Sequence, residues 1–242
     1  SHIASFGIII LILTILIKLV LFPLTYKSYL SMAKMRVLKP EVDQINAKYP
    51  KKEDALKKQQ EVMALYRKTG VNPMGGCLPM LLQLPILFAM FKFFPASFEL
   101  RQESFLWADD LSAFDSILKL PFEIPLYGGH VSLFTLLMAV SLYLTSKINM
   151  GQMADTNQQM PGMKFMTLYK MPVMMLLWFN NYAAGLSYYY LLSNLITLGQ
   201  TYIIRQTVDD EAVHAKLKEN SKKPVKKSRF QQKLEEMAKQ QK

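Results

Sequence analysis

The 242-residue sequence predicts an all-α membrane protein with five transmembrane helices and a charged helical hairpin between the first two. Hydrophobic residues make up 51% of the chain, yet its formal net charge is +11, a combination that is unusual for a soluble domain. Apolar runs and charged runs are separated along the chain. Several apolar runs reach the length of about 20 residues that a helix needs to cross a hydrocarbon core of about 30 Å.

Five segments are candidates for crossing the bilayer: Ile3–Phe22, Met74–Ala96, Val131–Ile148, Met171–Asn180 with its flanks, and Ala184–Ile204. The fourth is short and follows two lysines, so we expect it to tilt little or to lie where the bilayer is thin. The first run has no basic region before it and no small-residue cleavage site, which argues against a signal peptide. Its abrupt beginning predicts that the sequence is a fragment.

Charge in the connecting segments predicts the orientation. Residues 27–72 contain 11 Lys and Arg against 5 Asp and Glu, and residues 205–242 contain 11 against 6. Residues 98–130 contain 2 basic residues against 6 acidic ones, and residues 147–170 contain 3 basic residues against 1 acidic one. Because basic loops stay on the cytoplasmic side, we expect 98–130 to be a periplasmic loop and the other three segments to be cytoplasmic. The amino terminus is then outside and the carboxyl terminus inside.

The segment 27–72 predicts two helices rather than a solvated linker. Apolar residues recur at three- and four-residue spacing from Met32 to Ile45 and, less regularly, from Leu56 to Tyr66. The tail after Arg205 is polar and carries a basic cluster, for which contact with anionic lipid and contact with RNA both remain open. The cluster consists of Lys222, Lys223, Lys226, Lys227 and Arg229.

Lys18 is a charge inside the first apolar run, where a lysine costs about 2.5–3.5 kcal/mol to insert. We interpret it as a functional residue that faces a cavity or a partner. The alternative is that its side chain snorkels to the inner boundary near Leu24, about 9 Å along the helix.

Other polar residues are predicted at a comparable depth. Thr14 is one turn from Lys18 on the same helix face, and Gln83 lies about 13 Å into the second span. The fifth span carries a polar stripe of Tyr190, Asn194, Thr197 and Thr201. Because polar groups avoid lipid, these residues either form interhelical hydrogen bonds in closed packing or line a wet, positively charged groove. Composition leaves both arrangements open.

Motifs for catalysis or cofactor binding are not found. The three histidines lie in separate segments without metal-ligand spacing, the single Cys77 excludes an internal disulfide, and Gly75 and Gly76 mark a helix entry rather than a phosphate loop. We therefore predict no enzyme, no metal, no cofactor and no small-molecule substrate. We expect Trp107, in the acidic segment 98–130, to be an anchor at the membrane interface.

Four strings carry a resemblance to a known family. They are SMAKMRVLKPEV (Ser31–Val42), VNPMGGCLPMLLQLPILF (Val71–Phe88), ELRQ followed by DLSAFD (Glu99–Asp115), and GLSYYYLLSNL (Gly185–Leu195). In their order and spacing, over about residues 5–205, the chain resembles the YidC family of membrane protein insertases. The resemblance implies a five-helix core with a hydrophilic groove open to cytosol and lipid, a mobile cytoplasmic hairpin, and a basic tail near the ribosome.

The resemblance also implies roles for single residues. It puts Lys18 at the groove cation, where many members have arginine; lysine keeps the charge but loses the two-point binding of a guanidinium. Thr14, Gln83 and Tyr190 match groove positions. An ungapped count to Gly185 puts Asn181, rather than Trp178, where relatives often have a groove tryptophan.

We therefore predict an insertase and chaperone of the bacterial inner membrane that inserts and helps fold nascent membrane proteins, alone or with the Sec translocon and the ribosome. The predicted residues are Lys18, Thr14, Gln83, Tyr190 and Asn194 in the substrate groove, and Leu84, Phe88 and Met175 along a hydrophobic slide into lipid. The alternative is a secondary transporter with Lys18 at its binding site, which would show internal repeats that the sequence lacks.

The predicted division of the chain follows from these assignments. It comprises a first transmembrane helix (1–26), the cytoplasmic hairpin (27–72), a second transmembrane helix (73–97), the periplasmic loop (98–130), transmembrane helices three to five (131–204), and the basic tail (205–242).

Overall fold

The computed structural model describes residues 6–76, 78–152, 162 and 165–222. These residues form eight α-helices and two strands: α1 (Phe6–Val37), α2 (Lys39–Lys48), α3 (Ala55–Thr69), α4 (Leu78–Ala96), β1 (Leu118–Ile124), β2 (Gly128–Val131), α5 (Leu133–Gln152), α6 (Met171–Phe179), α7 (Ala184–Thr207) and α8 (Asp210–Lys222). Short 3₁₀ turns lie at Lys52–Asp54, Pro73–Gly76 and Phe98–Leu100, and a π-helical turn lies at Met166–Lys170. The prediction of a mainly helical protein is confirmed.

Two of the described helices are long and apolar enough to cross a membrane, Phe6–Val37 and Leu133–Met150. Two shorter helical stretches are also apolar, Leu81–Ala96 and Met166–Phe179. Helix α7 has 24 residues, but its polar residues lower its hydropathy below that of these four. Two candidate spans are therefore clear from length and composition, and the arrangement of five stays a prediction.

Helix α1 is one continuous helix of 32 residues, with Pro23 inside it. At 1.5 Å per residue it is about 48 Å long, which exceeds the thickness of a hydrocarbon core. The expected boundary between a first span and a hairpin, at residues 26 and 27, falls inside this helix. The predicted first helix of the hairpin is thus divided between the end of α1 and α2, which begins just before Pro40.

The hairpin encloses an apolar cluster that we call the hairpin core, built from α1, α2, α3, α7 and α8. Its buried members are Tyr29, Met32, Ala33, Met35, Leu38, Val42, Val62, Tyr66, Val71, Ile204 and Leu217. Lys48 donates a hydrogen bond of 2.8 Å to Glu61 across the α2–α3 pair, and this bond holds the pKa of the Glu61 carboxyl below its usual value. Arg36 Nη2 donates to both carboxylate oxygens of Asp210, at 2.6 and 2.9 Å, and so fastens α8 to α1.

The beginning of the tail is therefore a docked helix. Lys222 is the last residue of α8. The other predicted basic residues, Lys223, Lys226, Lys227 and Arg229, lie outside the described residues.

The spans pack around a second apolar cluster, the span core, in which α7 lies against α1, α4 and α5. Its buried members are Ile10, Phe94, Leu100, Ala108, Leu111, Phe134, Met138, Phe179, Ala183, Ala184, Leu186, Tyr188 and Tyr189. Gly185 allows the closest approach, because a Cβ there would lie 2.8 Å from the Phe94 ring and 3.1 Å from the Leu111 carbonyl oxygen. A side chain at this position would separate α7 from α4 and from the segment before β1.

The segment 98–130 contains an antiparallel β-hairpin, so the prediction of an all-α protein is wrong there. Leu118 pairs with Val131 and Lys119 with His130, and the register shifts before Ile124 pairs with Gly128. Gly128 has a φ of +99°, a conformation that suits glycine in the turn. The alternation of apolar and polar residues in LKLPFEI is typical of a strand and was the signal for it.

A set of buried polar bonds, which we call the polar cap, joins this β-hairpin to three helix ends. Asp115 is only 2% exposed and caps α5, accepting hydrogen bonds from the backbone N–H groups of Leu133 (2.9 Å) and Phe134 (3.2 Å) and from the hydroxyl of Ser132. Trp107 Nε1 donates to Asp115 at 3.0 Å, and its ring lies 4.4 Å from that of Phe134. Trp107 is thus packed into the polar cap, and its role as an interfacial anchor stays a prediction.

Asn180, at the end of α6, is fully buried in the polar cap. Its Nδ2 donates to the carbonyl oxygens of Tyr127 (2.8 Å) and His130 (2.9 Å), and its Oδ1 accepts from the Ser132 N–H (3.0 Å). One side chain therefore holds the β-hairpin, the beginning of α5 and the end of α6 together.

Asn180→Ala is expected to destabilise the protein by about 2–4 kcal/mol, because it leaves several buried backbone groups without partners. Thermal unfolding in detergent measures the change. Asn181→Ala is the matched control, since Asn181 is exposed and donates one bond, to Tyr127 O at 3.1 Å. Equal shifts for the two variants would contradict the role assigned to Asn180.

Candidate functional site: a lysine between three helices

Lys18 points across to α7 rather than along α1 to its end. Its Nζ donates a hydrogen bond of 2.9 Å to Thr197 Oγ1, and Gln200 Nε2 approaches the Lys18 carbonyl oxygen at 3.5 Å. None of the ion pairs found in the described residues includes Lys18. The charge therefore has a neutral hydroxyl as its partner, and this direction favours the cavity interpretation over snorkelling.

Lys18 lines a small cavity between α1, α4 and α7. The cavity measures about 60 Å³ and is lined by Lys18, Leu21, Leu24, Thr25, Leu82, Gln83 and Thr197. This volume is enough for a few water molecules. Of the residues predicted from the sequence, the structure brings Lys18 and Gln83 together here.

Polar atoms near this cavity are left without hydrogen bonds. Gln83 lies beside the hydroxyls of Tyr189 and Tyr190. Within the part of the chain that the structure describes, Gln83 Nε2, Tyr190 Oη and Gln200 Oε1 are buried and have no hydrogen-bond partner. An unpaired buried polar group costs about 1–3 kcal/mol, so the site keeps donors and acceptors that an entering polar group could satisfy.

Two predicted groove residues lie in closed packing instead. Thr14 is fully buried and donates to the Ile10 carbonyl oxygen of its own helix at 2.6 Å. Asn194 Nδ2 donates to Ser141 Oγ of α5 at 3.1 Å. Neither residue lines the cavity. Asn194 matches the alternative of interhelical hydrogen bonds that the sequence left open, whereas the bond of Thr14 lies within α1.

The predicted slide residues lie on α4 and α6. Phe88 is 68% exposed and Leu84 41% exposed, whereas Met175 is half-buried against the span core. Trp178 is exposed, and Asn181 bonds to the β-hairpin. Neither Trp178 nor Asn181 lines the cavity at Lys18.

Thr197 was named in the polar stripe but was not among the residues predicted for the substrate groove. It belongs to the polar stripe of α7, seven residues after Tyr190, but nothing in the spacing singles it out from Asn194. Its role follows from the packing of α1 on α7, a contact between residues 179 positions apart in the chain. The sequence signal was the stripe itself, and the pairing required the structure.

The fold and this site define a mainly helical protein with two candidate membrane spans and a lysine held among polar groups between apolar helices. The sequence pattern of the 60Kd inner membrane protein family matches residues 1–211, and the chain therefore belongs to this family.

Relatives with the name membrane protein insertase YidC are similar over most of the chain. The protein of Parabacteroides distasonis is 52% identical over 240 residues, which cover 98% of this chain and 38% of the relative. The protein of Bacteroides fragilis is 54% identical over 98% of this chain and 39% of the relative. The protein of Phocaeicola vulgatus is 56% identical over 84% of this chain and 32% of the relative. The resemblance predicted from the sequence is confirmed, and the chain spans less than two fifths of the length of these three relatives.

Thr197→Val is expected to destabilise the protein by about 1–2 kcal/mol, because it removes the acceptor of a charged donor. Thr197→Ser keeps the hydroxyl and should restore the stability. Thr201→Val, a buried threonine on the same helix, is the control for replacing a hydroxyl by a methyl group. Thermal unfolding compares the three variants, and a Thr201→Val shift as large as that of Thr197→Val would count against the bond to Lys18.

Proposed function

We propose that this chain is the core of a membrane protein insertase, which lowers the barrier to moving a short hydrophilic segment of a nascent protein across the membrane. The observation that carries the proposal is the side chain of Lys18, which lies in an apolar helix and faces a cavity between three helices. Membership of an inner membrane protein family and the names of the relatives support it.

Lys18 attracts the acidic residues of an entering chain. A charge in a site with low-dielectric walls acts more strongly than one in water, because fewer water dipoles screen it. The unpaired atoms of Gln83 and Tyr190 and the hydroxyl of Thr197 then supply hydrogen bonds to polar groups of the segment. Since an unsatisfied polar group costs several kcal/mol in hydrocarbon, each such bond lowers the barrier.

Thr14 and Asn194 contribute to the groove indirectly. Asn194 ties α7 to α5 and Thr14 packs within the bundle, so both hold the walls between which Lys18 works. Leu84, Phe88 and Met175 form a slide along which the apolar part of the substrate moves into lipid. Two of the three are exposed on α4, which suits contact with lipid or substrate.

The proposal includes five spans around a hydrophilic groove, with α1, α4, α5, α6 and α7 as the spans. The amino terminus of the chain is outside, and α2, α3 and α8 are cytoplasmic, together with the basic tail that contacts the ribosome or lipid. The Sec translocon is a further partner for some substrates. A covalent step is not required, and the names of the relatives give the transporter alternative no support.

Lys18→Ala in the full-length protein is expected to reduce insertion of a small acidic single-span substrate by about tenfold, as expected if the cation contributes about 1.4 kcal/mol. Lys18→Arg keeps the charge and should preserve insertion. The measurement is protease protection of the substrate in cells depleted of their own insertase. Lys92→Ala is the matched control, because Lys92 is an exposed lysine on α4 outside the cavity.

Normal insertion by Lys18→Ala would show that the charge is dispensable. The function would then depend on the shape of the groove or on the hairpin.

The defect of Lys18→Ala should also depend on the charge of the substrate. Replacing the acidic residues of the translocated segment by Asn and Gln should remove most of the difference between Lys18→Ala and the native protein, because Lys18 then has no charge to attract. A defect of the same size with the neutral substrate would assign Lys18 a structural role instead.

A further inference from the structure

The β-hairpin exposes a row of apolar side chains. In the sequence of β1 and its turn, every second residue is apolar: Leu118, Leu120, Phe122, Ile124 and Leu126, which we call the apolar row. Because the register shifts between Lys119 and Ile124, the row does not lie on one side of the hairpin throughout. The residues between them include Lys119 and Glu123. Antiparallel sheets normally bury their apolar side, yet Phe122 is 60% and Leu126 75% exposed.

The polar cap holds this hairpin across the ends of the helices. The Tyr127 carbonyl oxygen accepts hydrogen bonds from Asn180 and Asn181, which follow α6 directly. At its other end, β2 runs into α5 with one residue between them. The β-hairpin is therefore bonded to the α6–α7 turn and joined to the beginning of α5. These two attachments keep it at the level where these helices end.

The surface next to the hairpin has the residues of a membrane interface. Trp178, in the last turn of α6, and Tyr182, in the α6–α7 turn, are both exposed. Trp and Tyr concentrate where spans meet the headgroups. Tyr182 thus follows directly on Asn181, one of the residues that bond the hairpin, in a chain of an inner membrane protein family.

We propose that the apolar row is a lipid-binding surface that lies in the outer interface of the bilayer and holds the ends of α5, α6 and α7 at a fixed depth. The proposal rests on the proposed arrangement of spans but not on the role of Lys18. Lys119 and Glu123 cancel each other's charge, so binding depends on apolar contact rather than on anionic headgroups. Pro121 and Pro125 lack N–H donors, which makes this strand a poor template for an added strand from a protein partner.

Nitroxide labels on single cysteines test the proposal. In the full-length protein made free of other cysteines, Leu118→Cys reports on the apolar row and Lys119→Cys is the matched control, because both residues precede the register shift and neighbouring residues of a regular strand point to opposite sides. The protein is reconstituted in vesicles of phosphatidylethanolamine and phosphatidylglycerol. Paramagnetic resonance then compares the collision of each label with oxygen, which concentrates in lipid, and with a water-soluble nickel chelate.

The label at Leu118→Cys should collide more with oxygen than with the nickel chelate, and the label at Lys119→Cys should show the reverse. Omitting phosphatidylglycerol should leave both results unchanged. Equal access of the nickel chelate to both labels would overturn the proposal. Shielding of the Leu118→Cys label from both reagents would also overturn it, because the row would then be covered by protein.

The same measurement with Lys18→Ala separates this proposal from the proposed function. The two labels should respond as before in that variant, because the hairpin is fastened by the polar cap and not by the cavity. Loss of insertion with unchanged label accessibility supports both proposals, whereas unchanged insertion contradicts only the role of Lys18.

Discussion

The rest of the structure depends on the cost of keeping one charge inside an apolar helix. Lys18 must find polar partners because lipid supplies none, and the partner it finds is Thr197 on α7. This bond fixes how α1 and α7 face each other and brings Gln83 of α4 to the same cavity. In water an exposed lysine would need no such arrangement. Of the polar stripe of α7, Thr197 is therefore explained by the charge opposite it, whereas Asn194 is explained by Ser141 of α5.

The two ends of the helices are bonded much more completely than the middle. The polar cap satisfies Asp115 and Asn180 with several hydrogen bonds each, and at the other end the hairpin core and the Arg36–Asp210 pair fasten α8 to α1. Near Lys18, in contrast, Gln83 and Tyr190 keep unpaired polar atoms. Well-bonded ends allow the structure to maintain a locally unfavourable site between them. An insertase benefits from this division, because a site that is already satisfied would have little to offer an entering polar segment.

Local sequence patterns predicted the helices. Most of the features that these patterns did not predict depend on contacts between residues far apart in the sequence. Hydropathy identified α1 and α5 because their apolar runs are long. The expected boundary at residues 26 and 27 falls inside α1, which continues past Pro23, so the end of the first span and the beginning of the hairpin share one helix. The alternation in β1 was overlooked within a short segment between spans. The partners of Lys18 and Asn194 are far apart in sequence, at 179 and 53 residues, so spacing within one helix could not show that Asn194 faces Ser141 while Thr197 faces Lys18.

The most direct test of the groove is to find where a translocating segment lies. A photo-crosslinking amino acid at Gln83 in the full-length protein, combined with ribosomes stalled on a substrate during insertion, reports contact at the cavity. We expect the hydrophilic segment of the substrate to crosslink at Gln83, and its apolar helix to crosslink instead from a probe at Phe88. A probe at Tyr202, exposed on the same helix as Thr197, is the control and should crosslink to neither. Insertion that proceeds without any crosslink between the hydrophilic segment and position 83 would contradict a groove at Lys18.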